Sequence, residues 1–310
     1  MKVAVIGSGV MGPGIAQTWL TAGHEVALAD ISRESLEEGK ARIRESVNQM
    51  HERKLLEKGA DLYLPLLTAT TSLPEAVGNA SLVIECVAER PDVKQAVYNE
   101  LDRLCPPDAV VVSNTSALPL PDMFPDFRPD RFFICHYFNP PEIIPVVELV
   151  KGARTDQRVV DWLKGKLEGC GKKTIALKGY KMGFLVNRIQ TAMMREALYL
   201  VESGIIDPED VDTAVTACVG FKSAWQGLFD TMDYIGLDTV SLACGVIYPD
   251  LDNSASVPEI ITRKVREGSL GVKTGKGFYD YTGEEGAGVL KKRREVLLDQ
   301  LALWKKANTE

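Results

Sequence analysis

Short apolar, β-rich runs alternate with helical stretches over the first 150 residues: KVAVIG, a helix from about Pro13, EVALAD, a long charged helix from Arg33, SLVIEC, a helix from Pro91, and AVVVSN. Strands that alternate with helices in this way pair in parallel and predict a doubly wound sheet. RFFIC at 131–135 and PVVELV at 145–150 stand too close together for a helical crossover, and KKTIAL at 172–177 follows a further helical stretch, so the sheet is expected to end in a mixed group of strands. After Lys178-Gly179-Tyr180 the period changes. FLVNRIQTAMMREALYLVESG carries Ile189, Met193, Ala197, Leu200 and Val201 at helical spacing and stops at Gly204. Asp207 before Pro208 reads as a helix start, and helical patterning continues through Arg266 with little strand signal. The expected class is therefore α/β: a doubly wound sheet domain over residues 1–179, followed by an all-α C-terminal domain over residues 180–310.

A length of 310 residues fits two cores better than one. With 45% hydrophobic and 25% charged residues the composition is that of a globular protein, and a net charge of −7 argues against a nucleic-acid-binding surface. The six cysteines form no C-x-x-C pair and sit mostly in apolar runs, so they read as reduced core thiols, and no metal-ligand spacing is present. The chain runs directly into a strand without a signal-peptide pattern, and no apolar run is long enough to span a bilayer; the cytoplasm is the expected location.

Chemistry enters first at Gly7-Ser8-Gly9-Val10-Met11-Gly12, a G-x-G-x-x-G turn directly after a strand and opening a helix. Glycines there allow a tight turn whose backbone N–H groups approach a pyrophosphate, the signature of a Rossmann-type dinucleotide site. Asp30 follows eighteen residues after Gly12 at the end of EVALAD, where a carboxylate accepts hydrogen bonds from ribose hydroxyls and repels a 2′-phosphate, favouring NAD over NADP. The same position also suits a turn or helix-cap residue.

Only three histidines exist. His24 follows Gly23 in a turn and His51 lies in a charged stretch, both read as surface residues. His136 ends an apolar strand where an irregular loop begins, a place where α/β sheets gather ligands, although position alone leaves it structural or catalytic. Twelve residues on, Glu148 is a lone carboxylate inside PVVELV. A buried carboxylate needs a partner, and a histidine that shares its proton would serve as a general base; an exposed edge-strand glutamate is the alternative.

Four segments, GSGVMGPGIA, SNTSALPL, HYFNPPEIIPVVELV, and GFLVNR with GVKTGKGFYDY, together resemble the 3-hydroxyacyl-CoA dehydrogenases, in order and across residues 1–281. The resemblance implies NAD-dependent oxidation of the 3-hydroxyl of a 3-hydroxyacyl-CoA, with His136 as base and Glu148 as its partner. It places Ser116 at the substrate hydroxyl, sets Asn187 across the cleft, and lines the nicotinamide and ribose end of the cofactor with Glu89 and Lys94. Asn139 would brace the loop after His136. A homodimer formed through the second domain is implied as well. Pro145 stands where fatty-acid-oxidising members commonly carry lysine, and in this the chain is similar to the branch acting on small free hydroxy acids, which includes gulonate 3-dehydrogenase, a λ-crystallin relative, and carnitine and pyridine-carboxylate dehydrogenases. Lys40, Arg42, Arg44, Arg53 and Lys54 could meet CoA phosphates or form a solvated mixed-charge face. The CoA ester is the leading substrate and the free acid the runner-up; a third reading is a cofactor-binding structural protein without turnover.

Overall fold

The computed structural model describes residues 1–308, apart from the side chains of residues 284, 285, 287 and 290. The chain divides into two compact units, Met1–Asn187 and Arg188–Glu310.

The first unit is built on eight strands, β1 (Lys2–Ile6), β2 (Glu25–Ala29), β3 (Leu67–Thr70), β4 (Leu82–Glu85), β5 (Val110–Ser113), β6 (Phe132–Tyr137), β7 (Val146–Lys151) and β8 (Lys173–Leu177). They lie in the order β3-β2-β1-β4-β5-β6-β7-β8. Strand order reverses between β1 and β4, and the glycine turn leaves β1 at that point. Ligands of open α/β sheets bind at the carboxyl ends beside such a reversal. The central strands are mostly apolar because both faces are covered, with Glu85 and Ser113 as buried polar residues at the carboxyl ends of β4 and β5. Val3 and Val5 pack into one core with Trp19, Leu28, Phe133 and Val147, while Ala4 and Ile6 pack into the other with Val83, Tyr98, Val111 and Phe132. β3 has no counterpart in the sequence reading, since its LTAT is half polar and only Thr70 is buried.

Helix α1 (Gly12–Thr21) follows the glycine turn with Pro13 in its first turn. Helix α2 (Arg33–Glu52) is capped by the Ser32 hydroxyl, which accepts from Ser35 N at 3.1 Å. Its buried residues Leu36, Gly39, Ile43, Val47 and Met50 recur at helical spacing, leaving the charged residues on the outer face. Only residues 138–145 join β6 to β7. A parallel crossover takes roughly a dozen residues or more, so this pair is antiparallel, and its register sets His136 opposite Glu148. β8 then pairs with β7 in parallel, completing the mixed edge.

The second unit is helical, with helices Pro208–Ala214, Leu228–Ile235, Leu237–Ile247, Glu259–Arg266 and Gly283–Ala307, and two isolated β-bridges around Lys276. Asp207 occupies the expected N-cap position, but its side chain makes no capping hydrogen bond. No helix among the described residues is long and apolar enough to cross a membrane.

Candidate active site

His136 and Glu148 are brought together by the β6–β7 register. His136 Nδ1 lies 2.8 Å from Glu148 Oε2, with the carboxylate wholly buried and the imidazole 5% exposed. The other carboxylate oxygen, Oε1, accepts from Leu185 N at 2.9 Å and Val186 N at 2.8 Å, where the helix Val186–Glu202 begins. Burial alone would push the carboxyl pKa up. The hydrogen bond from His136 and those from Val186 and Leu185 outweigh it, and the net shift is downward. A charged carboxylate takes a proton-bearing Nδ1, so in the neutral ring Nε2 carries the lone pair. Nε2 has no hydrogen-bond partner among the described residues, and the ring is held edge-on by Phe138 and Phe184 at 4.5 and 5.4 Å between centroids.

Asn187 follows Val186 directly, and its Nδ2 reaches Ser116 O at 3.5 Å. Ser116 N donates to Glu89 Oε1 at 3.1 Å, and Thr115 Oγ1 donates to the same oxygen. Lys94 is 1% exposed, with its ammonium 2.7 Å from Glu85 Oε1 and 3.3 Å from Glu89 Oε2. The cation is thus paired with one fully buried carboxylate, Glu85, and one exposed carboxylate, Glu89, which is what makes its burial tolerable. Glu85 was missed from sequence. It is fully buried and also accepts from Val87 N, Tyr98 OH and Ser113 Oγ. The signal was available in SLVIEC, a lone carboxylate in an apolar strand like Glu148, but with no histidine to suggest a partner.

Asn139 is exposed and makes no bracing bond among the described residues; the expectation for it is corrected. The loop is braced instead by Lys172 Nζ, donating to Pro141 O at 2.6 Å and Ile144 O at 2.8 Å, and by Asn114 Oδ1, accepting from Tyr137 N at 2.8 Å. His24 is half-buried against Trp19 rather than a free surface residue, while His51 is exposed.

In the glycine turn Gly7 has φ +108°, and a Cβ at Gly12 would stand 1.8 Å from Gly7 O, so neither position accepts a side chain. A Cβ on Gly9 would meet nothing within 4 Å, and the Val10 side chain is exposed; Met11 precedes the first turn of α1. Asp30 takes the turn role foreseen for it and is also bonded to the glycine turn. Oδ1 accepts from Ser32 N at 2.9 Å as a turn residue, and Oδ2 accepts from Ser8 N at 2.7 Å, tying the acid to the glycine turn. Each oxygen keeps acceptor capacity for a ribose hydroxyl. The open cradle at Gly9 and Val10, ahead of a helix N-terminus, fits a pyrophosphate.

A doubly wound sheet with this turn at its reversal point and a buried histidine–carboxylate pair across its adjacent strands β6 and β7 defines an NAD-dependent dehydrogenase. The family profile of the 3-hydroxyacyl-CoA dehydrogenase NAD binding domain matches residues 2–180, and that of the C-terminal domain matches residues 183–281. The chain belongs to the 3-hydroxyacyl-CoA dehydrogenase family. It is 31% identical over 298 residues to 5-formyl-3-hydroxy-2-methylpyridine 4-carboxylate 5-dehydrogenase of Mesorhizobium japonicum, covering 96% of each chain. It is 33% identical over 288 residues to the human mitochondrial hydroxyacyl-coenzyme A dehydrogenase, covering 90% of each. A crystal structure of the pyridine-carboxylate enzyme, described as an NAD+-dependent dismutase, matches with a TM-score of 0.91 at 31% identity over 98% of both chains.

Proposed function

We propose that this enzyme oxidises a secondary alcohol with His136 as general base and Glu148 as the group that fixes and charges it. The carrying observation is the buried 2.8 Å contact of His136 Nδ1 with a carboxylate whose other oxygen is held by two backbone N–H groups. Nδ1 donates to Glu148, Nε2 accepts the alcohol proton, and the negative carboxylate stabilises the resulting imidazolium. Bound NAD supplies the hydride acceptor. The hydroxyl of Ser116 and the amide of Asn187 are suited to hold the substrate oxygen without competing as bases, and they are neighbours through the Asn187–Ser116 contact. Glu89 and Lys94 serve the cofactor side by shaping the Thr115–Ser116 loop, in which Glu89 is the exposed member and Lys94 the buried counter-charge.

For the substrate, the side chains of α2 support a small free acid over the CoA ester that leads from sequence. Lys40 faces Glu37 at 3.4 Å, Arg44 faces Asp61 at 2.6 Å, and Arg42 is turned onto the glycine turn, so three of the five candidate phosphate ligands are engaged elsewhere. Glu142 adds a carboxylate beside α2, accepting from Ser46 Oγ at 3.4 Å. The match to the pyridine-carboxylate enzyme also runs past the family profile into the C-terminal helix. Oxidation of a 3-hydroxyacyl-CoA is the second reading, supported by the 33% identity to the human acyl-CoA enzyme.

A homodimer formed through the second unit accounts for the exposure of Phe221, Trp225, Phe229, Tyr234, Leu242 and Val246. The six free thiols support a reducing compartment such as the cytoplasm.

The test is His136→Asn, assayed by NADH absorbance with acetoacetyl-CoA and with a panel of free carboxylated ketones and aldehydes. The variant is expected to lose about 10²–10⁴-fold in kcat while binding NADH normally. A near-normal kcat overturns the dyad, and efficient turnover of the CoA ester alone overturns the free-acid reading.

A further inference from the structure

Arg42 is one of the basic residues of α2 that could have served a phosphate in solvent, and the structure gives it another task. Its Nη2 donates to Ser8 O and to Gly9 O, each at 2.9 Å. Ser8 is thereby held on three sides, because its N–H donates to Asp30 Oδ2 at 2.7 Å and its hydroxyl donates to Ser35 O at 2.7 Å. In a trans peptide the C=O and the following N–H point in opposite directions. Holding the carbonyls of Ser8 and Gly9 against a guanidinium therefore aims the N–H groups of Gly9 and Val10 away from it. Neither N–H donates to any acceptor among the described residues, and the space over Gly9 is open.

A glycine-rich turn left to itself can rotate its peptide planes at little cost. A rotated plane would present a carbonyl, in place of an N–H, to an anion, and successive N–H groups facing one way are what make a backbone concavity bind anions. We propose that Arg42 is a positioning residue for the dinucleotide, locking the Gly9 and Val10 peptides in the orientation that receives the pyrophosphate and placing a positive charge behind them. The charge-assisted bonds to the two carbonyls are of the strong kind, and they form before the cofactor arrives, so the orienting cost falls on folding and not on binding. This rests on NAD binding alone and is independent of the role proposed for His136.

The experiment measures Arg42→Met and Arg42→Lys against the wild type by titration with NADH, NADPH, ADP-ribose and adenosine, with thermal melting as the check on folding. The methionine variant should bind NADH and ADP-ribose about tenfold more weakly and adenosine as before, since adenosine has no diphosphate. At saturating NAD its kcat should be unchanged, with the loss confined to KM for NAD. The lysine variant, which can still donate to the two carbonyls, should recover part of the loss. Unchanged NADH affinity in a folded methionine variant overturns the proposal. Equal weakening of adenosine would mean that Arg42 only holds the fold, and a loss confined to NADPH would mean that it meets a 2′-phosphate instead; either outcome also overturns it. His136→Asn should leave all four affinities untouched, which separates failure here from failure of the dyad.

Discussion

Glu148 shows how a residue alone in an apolar strand acquires a function. Its folded-state pKa is held below the ordinary 4.5 by His136 and two backbone N–H groups, against the opposing effect of burial. A depressed carboxyl pKa contributes stability that is present above the unfolded value and is lost as pH falls below about 4.5 through the folded value. The unfolding midpoint of the wild type should accordingly drop on acidification from pH 5 to pH 3 more steeply than that of Glu148→Gln. Melting curves across that range check this, and parallel slopes would show that the carboxylate is not held ionised by its neighbours. His136 and Glu148 were legible because each interrupts a pattern, one ending a strand and the other charging it. Lys94 was legible only as a family position. Nothing local reveals that its ammonium faces Glu85, since the two meet through the packing of the Pro91–Leu104 helix on β4.

At the scale of elements, the strand–turn–helix from β1 to α1 was legible in full, since Gly7 and Gly12 do what only glycine can. Gly12→Ala would drive a methyl group into Gly7 O, 1.8 Å from the ideal Cβ, so turn or helix must shift. Overpacking of this kind costs about 1–3 kcal/mol. The variant should melt lower and bind NADH at least about tenfold more weakly; an unchanged NADH titration would mean that the turn is not the cofactor cradle. The β6–β7 hairpin was legible as antiparallel from its short connection. Its register was not, and a slip of one residue would turn Glu148 to the opposite face of the sheet from His136. Lys172, far along the chain, helps pin that loop through two carbonyls. β3 escaped notice because a half-exposed edge strand has no apolar pattern to read.

At the scale of the molecule, the second unit leaves unpaired apolar surface that a monomer rarely tolerates. Phe229 is 78% exposed and Val246 78% exposed, on helices whose own packing does not use them. Charged substitutions there should disrupt an association of two copies while sparing each unit's fold. Sedimentation of the wild type at micromolar concentration is expected to give a dimer, and Phe229→Glu with Val246→Glu a folded monomer. A wild-type monomer, or a variant that stays dimeric, would place the subunit contact elsewhere or abolish it.

Local patterning determined where most of the strands and helices lie, that sheet precedes helices, that a glycine turn would meet a dinucleotide, and which histidine stands at the end of an apolar strand. These follow from the sequence because each is a contest between neighbouring residues for a buried or a solvated face. What only the tertiary structure decided are meetings across long separations: Glu148 with Leu185 and Val186, Lys94 with two carboxylates, and Arg42 with the carbonyls of Ser8 and Gly9. Such pairings depend on strand order and on the angle at which a helix crosses the sheet, and a charged side chain on an amphipathic helix carries no mark of which distant backbone it will reach.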